Sequence, residues 1–407
     1  MRFMIFFAVM TIVMTLLDFY VIHRWRKFCI NKEIKPLYYK IPIAISILML
    51  TLFIYSSYVN IMLFPTPDHV VWVNIATGIW YLPKILILPF LIISGLADKI
   101  IILIKKIKTS SIQNKNPQLS KSRRKFVGNF AWSLAGIPFI MAAKGFFHTV
   151  FDFKVYYERI VMPKLPESLN GLRLVQLSDL HFGKYINGEM LKDLNKKIEN
   201  LSPDIICITG DFVNFRYEEL DYGHEFLKNL KAKHGVYACL GNHDHYMSDD
   251  DHLKLIKRIK STGVDLMINE HKTLSVNNSY LNLISIDNFG SRQTYGDFEK
   301  AFSGVDNSFV NILLSHDPRT WESHVLNGYD ADLTLSGHTH GGQVAIEFLG
   351  MELAPVKAVY KHYMGLYKQG WNYLYVNRGI GVSGPPIRLG INPEITLLVL
   401  EKPDLRV

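Results

Sequence analysis

The sequence is poor in cysteine, with three in 407 residues (Cys29, Cys207 and Cys239). They form neither a disulfide framework nor a zinc-binding spacing. Cys207 and Cys239 sit in apolar, strand-like runs and read as small buried hydrophobes. Acidic residues are scarce at the start. Residues 1–150 carry 18 Lys/Arg against 4 Asp/Glu, a net of +14, whereas residues 151–407 carry 27 against 32, a net of −5. The overall charge of +9 therefore describes neither part. Clustered Lys and Arg are the footprint of nucleic-acid binding. Here they lie between apolar segments, where lipid headgroups and membrane topology account for them, and nucleic acid is set aside as a partner.

Long apolar runs are what the first part does have. About 20 helical residues cross the hydrocarbon core, and four stretches suffice: Phe3–Ile22, Ile41–Phe64, Val70–Leu96 and Phe126–Phe147. Lys84, Pro83 and Pro89 interrupt the third, which fits a kinked helix or a re-entrant pair. The first connection holds Arg24, Arg26, Lys27, Lys32, Lys35 and Lys40 against Glu33. The second, around Pro65–Asp68, has no Lys or Arg, and the third, Lys99 to Lys125, has nine. Positive loops stay cytoplasmic. Four crossings then put the amino terminus and residues 150–407 outside a multi-pass cell-membrane protein. Ser122-Arg123-Arg124-Lys125-Phe126-Val127 resembles a twin-arginine export signal and equally serves the positive-inside rule. Asp18 and Lys144, near span ends, are expected to snorkel, leaving Lys84 as the intramembrane charge to watch. The organisation is a transmembrane region over 1–125 with three spans and basic loops, a fourth span over 126–147, and a catalytic domain over 150–407.

From residue 172, short apolar runs alternate with amphipathic helical ones. Leu172–Leu177, Asp204–Thr209, Gly235–Leu240, Tyr280–Ile286, Asn311–Leu314, Asp332–Ser336, Tyr373–Asn377 and Glu394–Leu400 read as strands. Glu189–Glu199 and Asp251–Ser261 read as helices with one apolar stripe. The alternation indicates an α/β or layered α+β domain. Five runs end in Asp, His or Asn, often beside glycine: Asp179-Leu180-His181, Gly210-Asp211, Gly241-Asn242-His243-Asp244, His316-Asp317 and Gly337-His338-Thr339-His340. Such strand ends converge on one crevice. Carboxylate, imidazole and amide donors without thiolate suit Mn, Fe, Zn or Ni rather than Ca or a structural zinc. Seven or eight donors exceed what one ion needs, so two ions sharing a carboxylate is the economical arrangement.

This series, in this order over about 160 residues, resembles the calcineurin-like metallophosphoesterase superfamily, in particular its membrane-attached bacterial branch. Asn377-Arg378-Gly379-Ile380-Gly381, Pro386-Ile387-Arg388 and Pro393-Glu394-Ile395 resemble that branch too. The resemblance implies a four-layer α/β/β/α sandwich and a dinuclear site. Asp179, His181 and His340 would bind one divalent ion (Mn, Fe or Zn), Asn242, His316 and His338 the other, and Asp211 both. A hydroxide bridging the ions would attack phosphorus. His243 would stabilise the phosphoryl group or protonate the leaving oxygen, and Asp244 would support the ligands from behind. His245 abuts the motif and is a candidate for substrate contact, while Arg378 and Arg388 fit either an anionic substrate or structural ion pairs.

The expected function is a membrane-anchored phosphohydrolase acting on a phosphomonoester, phosphodiester or pyrophosphate of a small molecule or lipid. Related members cleave UDP-2,3-diacylglucosamine in lipid A synthesis, a cytoplasmic nucleotide that the expected orientation disfavours. A metal-bound sensor or scaffold is the reading from another class, and the intact His243 weighs against it. Transport is weakest, because the spans show neither a repeat nor paired charges.

Overall fold

In a bilayer every backbone amide must be satisfied within its own segment, which leaves helix for runs as apolar as these. The computed structural model describes residues 2–62, 67–108, 136–186, 188–290, 293–348, 351–384 and 386–403. It divides into two units, Met1–Phe146 and Phe147–Val407. In the first, α1 (Arg2–Asn31), α2 (Leu37–Met62) and α3 (Asp68–Lys108) contain stretches long and apolar enough to cross a membrane: Phe7–Asn31, Leu37–Asn60 and Asp68–Leu96. The third expected span is one helix with Pro83 and Pro89 inside it, not a re-entrant pair. Of the fourth, residues 137–147 form α4 (Ile137–Phe147). Residues 126–135 and the whole Ser122–Val127 signal lie outside the described residues.

Asp18 does not snorkel. It is buried and ion-paired with the equally buried Lys84. The carboxylate also accepts from Ser46 Oγ (2.9 Å) and Tyr81 Oη (2.9 Å), and Lys84 donates to Ser46 Oγ (3.1 Å) and lies 3.8 Å from the Trp80 ring centre. The paired charge not expected from the sequence is therefore present, and it joins all three long helices. Leu17, Val21, Tyr81, Ile87 and Leu91 form the apolar cluster beside it.

In the second unit, strands buried on both faces alternate their side chains between two cores. One six-stranded sheet has the order β1 (Lys154–Val161), β14 (Glu394–Glu401), β2 (Leu172–Leu177), β3 (Ile205–Thr209), β4 (Val236–Cys239), β5 (Asp265–Leu266). Strands β2 to β5 run parallel. The other has the order β12 (Gly365–Gln369), β13 (Asn372–Val376), β9 (Leu333–Ser336), β8 (Val310–Leu314), β7 (Ser279–Ser285), β6 (Glu270–Val276), parallel from β13 to β7. Leu172, Leu174, Ile205 and Cys207 face Ile312, Leu314, Leu333 and Leu335 between the sheets. Their neighbours Val175, Leu177, Ile206 and Ile208 turn outward onto α5 (Gly188–Asn200), α6 (His224–Asn229) and α7 (Asp249–Ser261). Ile284, Leu313 and Val376 turn outward on the other side, onto α8 (Phe298–Phe302) and α9 (Arg319–Ser323). The result is the expected four-layer α/β/β/α sandwich.

Eight strands appear where expected, within a residue or so at each end. The edge strands β1, β6 and β12 do not stand out in the sequence, because one side of each meets water and the alternation is diluted by Lys, Glu, His and Thr. The two-residue β5 and the separate β10–β11 hairpin (Ile346–Phe348 with Met351–Leu353) are too short to register. At the carboxyl ends of the parallel strands the two sheets are tied by Gln176, whose Nε2 donates to Thr209 Oγ1 (3.0 Å) and Ser336 O (2.9 Å). That is the end on which the motif residues gather.

Candidate metal centre

The expected ligands lie just beyond the ends of parallel strands, most of them in turns too tight for ordinary backbone. Asp179, His181, Asp211, His338 and His340 have φ of +50°, +42°, +56°, +71° and +52°. Non-glycine residues rarely adopt this region, at about 1–3 kcal/mol each. Five of seven expected ligands thus sit in strained backbone, as binding groups held by a rigid scaffold do. Glycine makes room at the closest approaches: a Cβ on Gly337 would collide with Ser178 Oγ and Asp179 Oδ2, and one on Gly241 with Asp211 Oδ1.

The side chains converge in two groups, which a third set, His181, Asp211 and His243, overlaps. Ligand atoms of Asp179, His181 and His340 lie within 4.8 Å of one another, as do those of Asp211, His316 and His338. In the first group His340 Nε2 is 3.3 Å from Asp179 Oδ1 and 3.1 Å from His181 Nε2. In the second, His316 Nε2 is 3.2 Å from both His338 Nδ1 and Asn242 Oδ1. Asp211 Oδ2 lies between the groups, 3.5 Å from His181 Nε2 and 3.2 Å from His316 Nε2. All are buried except Asn242 and His338, which are partly so.

Burial holds His181 near a pKa of about 3, with the neighbouring His243 adding to the effect, and it lowers His338 to about 4. Both are thus neutral, as a ligating imidazole must be. Burial also pushes the Asp179 carboxyl up to about 6. For His316 burial works downward, but the Asp211 carboxylate outweighs it and holds the imidazole up at about 10. Two carboxylates in a dry site thus require a positive partner. Imidazole nitrogens facing each other at hydrogen-bond distance, converging carboxylates and an all-N/O donor set fit divalent cations of the Mn, Fe or Zn type.

Around the ligands, Asp244 is buried and accepts from the amides of Asp211, Phe212 and Gly241, each at 2.9 Å. It fixes the two turns that carry Asp211 and Asn242. His243 donates its amide to Asp211 Oδ1 (2.8 Å), and its Nδ1 lies 2.8 Å from Asn214 O. His245 goes elsewhere: its Nε2 pairs with Asp287 (2.7 Å) and its ring stacks between Tyr295 and His252. Arg378 is ion-paired with Glu394 (2.5 Å), and the fully buried Arg388 donates to the carbonyls of Arg378, Gly379 and Gly381. Both have structural partners. Asn214, Tyr246 and Tyr360, which also touch the centre, follow no motif spacing in the sequence.

The profile of the calcineurin-like phosphoesterase family matches residues 172–342. A second profile, described as the transmembrane domain of a probable calcineurin-like phosphoesterase, matches residues 1–149. The uncharacterized metallophosphoesterase YkuE of Bacillus subtilis is 32% identical over 241 residues, 58% of this chain and 82% of its own length. The chain belongs to the calcineurin-like phosphoesterases. This phosphoesterase is also similar to the UDP-2,3-diacylglucosamine pyrophosphatase LpxG of Chlamydia trachomatis, 31% identical over 58% of this chain and 86% of that one. With the transmembrane protein with metallophosphoesterase domain of Danio rerio it shares 32% identity over 65% of this chain, spanning 61% of that relative's length. It is a membrane-associated hydrolase of phosphoester bonds, in a family that uses divalent metals.

Proposed function

We propose that the phosphoesterase uses two divalent ions to hydrolyse a phosphomonoester, phosphodiester or pyrophosphate of a small molecule or lipid at the outer face of the membrane. The observation that carries the reading is Asp211 Oδ2 lying between two separate histidine groups. In this reading Asp179, His181 and His340 hold one ion, Asn242, His316 and His338 the other, and Asp211 both. When bound, the ions supply Lewis acidity toward phosphoryl oxygens and lower the pKa of water, to about 7 in favourable sites. The chain's own residues do the rest. His243, oriented through Nδ1 by Asn214 O, presents Nε2 to the phosphoryl group and delivers a proton to the leaving oxygen. Asp244 keeps the Asp211 turn rigid. His245, held by Asp287, Tyr295 and His252, supports the loop rather than touching substrate.

His243→Ala tests the proton transfer. It should keep both ions and the fold and lose about 10²–10⁴-fold in turnover on an alkyl phosphate. The loss should be much smaller on nitrophenyl phosphate, whose leaving oxygen needs no proton. Equal losses on both substrates would assign His243 to charge stabilisation alone. Loss of metal would make it a ligand.

A second reading rests on the similarity to LpxG: cleavage of the pyrophosphate of UDP-2,3-diacylglucosamine. It requires the catalytic unit on the cytoplasmic side, so the side of the membrane separates the two.

A further inference from the structure

We infer that Tyr246 and Tyr360 are positioning residues for the second ion alone, and that the two ions are consequently bound with different strength. This rests on the dinuclear reading above. Each ligand of the second group turns one polar atom inward and has the other held from outside. Asn242 presents Oδ1 to the cluster, 3.2 Å from His316 Nε2, while its Nδ2 donates to Tyr246 Oη at 2.9 Å. His338 presents Nδ1, 3.2 Å from the same nitrogen, while its Nε2 lies 2.7 Å from Tyr360 Oη. His316 presents Nε2, and its Nδ1 lies 2.7 Å from the Thr209 carbonyl.

These outer contacts settle which atom can ligate. An amide whose NH₂ is bonded to a phenol oxygen must offer its carbonyl oxygen to the ion. An imidazole that donates from Nε2 must offer Nδ1. In the first group the Asp179 carboxylate accepts from Ser178 Oγ (2.6 Å) and the His338 amide (3.0 Å), but no tyrosine is hydrogen-bonded to either histidine among the described residues. His181 Nδ1 and His340 Nδ1 are buried without a hydrogen-bond partner among the described residues.

The tyrosines are themselves held. Tyr246 stacks on Phe215 at 17° between ring planes, with 6.1 Å between centres, and its ring centre is 4.6 Å from that of His243. The Arg319 guanidinium lies 5.0 Å from the Tyr360 ring centre and is fixed by a bidentate pair with Asp317. The two phenols come from different loops, so they act on the second group independently.

Partners of this kind are worth about 10–100-fold in metal affinity. The test is Mn²⁺ titration of the metal-free, detergent-solubilised full-length protein, read by calorimetry and by the magnetic coupling of the ion pair in electron paramagnetic resonance. The wild type should bind two ions. Tyr246→Phe and Tyr360→Phe should each weaken one ion about 10–100-fold, leave the other unchanged, and replace the coupled spectrum by that of an isolated ion at limiting Mn²⁺. Tyr363→Phe is the control. It removes a hydroxyl from the same loop as Tyr360, one bonded to Glu352, and should change neither ion. Two ions bound with wild-type affinity in both variants would overturn the inference and leave the dinuclear reading standing. Equal weakening by Tyr363→Phe would overturn the assignment of Tyr360, by showing a general loosening of the loop. A wild type that binds a single ion would overturn the dinuclear reading itself.

Discussion

One carboxylate oxygen, Oδ2 of Asp211, serves both histidine groups, while Oδ1 accepts the His243 amide. Removing its charge leaves each group short of a ligand. Asp211→Asn should therefore lower metal content at both positions, whereas Asn242→Ala should empty one. Elemental analysis of both purified variants decides the point, and two ions at full occupancy in Asp211→Asn would end the bridging role. The expected ligands are legible in the sequence, because each lies within a few residues of a strand end and four of the seven (Asp211, Asn242, His338 and His340) adjoin a glycine. Tyr246 looks like any residue after a motif. Tyr360 lies 22 positions from the His338 it touches, and no spacing links them. Asp244 is legible as a supporting residue, but that it accepts amides from both turns at once appears only when the Asp211 and Asn242 turns are seen together. For His245, adjacency to a motif suggests substrate contact, yet the one-turn helix His243–His245 rotates its side chain toward Asp287.

At the level of elements, apolar length identifies the membrane helices, but charge position alone misjudges Asp18. Its place near a span end suggests exposure, and only the packing of three helices reveals a cation and two hydroxyls directed at it. Breaking such a buried pair on one side typically costs about 3–5 kcal/mol, because the remaining charge has no partner, while replacing both members with apolar residues is often neutral or stabilising. Asp18→Leu and Lys84→Met should each lower the thermal midpoint of the detergent-solubilised protein, and the double variant should recover most of the loss. If the double variant is as unstable as the worse single one, the pair does not act as a unit. The catalytic sheets follow the same logic in reverse. Interior strands reveal themselves because both faces are apolar. The edge strands β1, β6 and β12 carry Lys, Glu and His on the wet side and gain their identity from the neighbour they pair with.

For the whole molecule, the shift from +14 before residue 150 to −5 after it foreshadows the division after Phe146. In the outer-face reading proposed above, the positive-inside rule puts the amino terminus outside, 24–40 inside, 65–69 outside and 99–125 inside. The side reached by the catalytic unit then depends on residues 126–147. If they cross, it is outside. The 11 residues of α4 rise only about 16 Å and cannot span without the residues before them. The three native cysteines are buried, and burial pushes the Cys207 and Cys239 thiols up, so the folded protein should offer no thiolate to reagents. A single introduced cysteine can then report its side. Lys115→Cys lies in the third basic connection, and Lys257→Cys on the exposed face of Asp249–Ser261. In intact cells a membrane-impermeant maleimide should label Lys257→Cys and spare Lys115→Cys, and lysis should expose both. Protection of both in intact cells would mean three crossings and a cytoplasmic catalytic unit. That outcome would overturn the outer-face assignment and favour the reading in which a cytoplasmic nucleotide-linked lipid is the substrate.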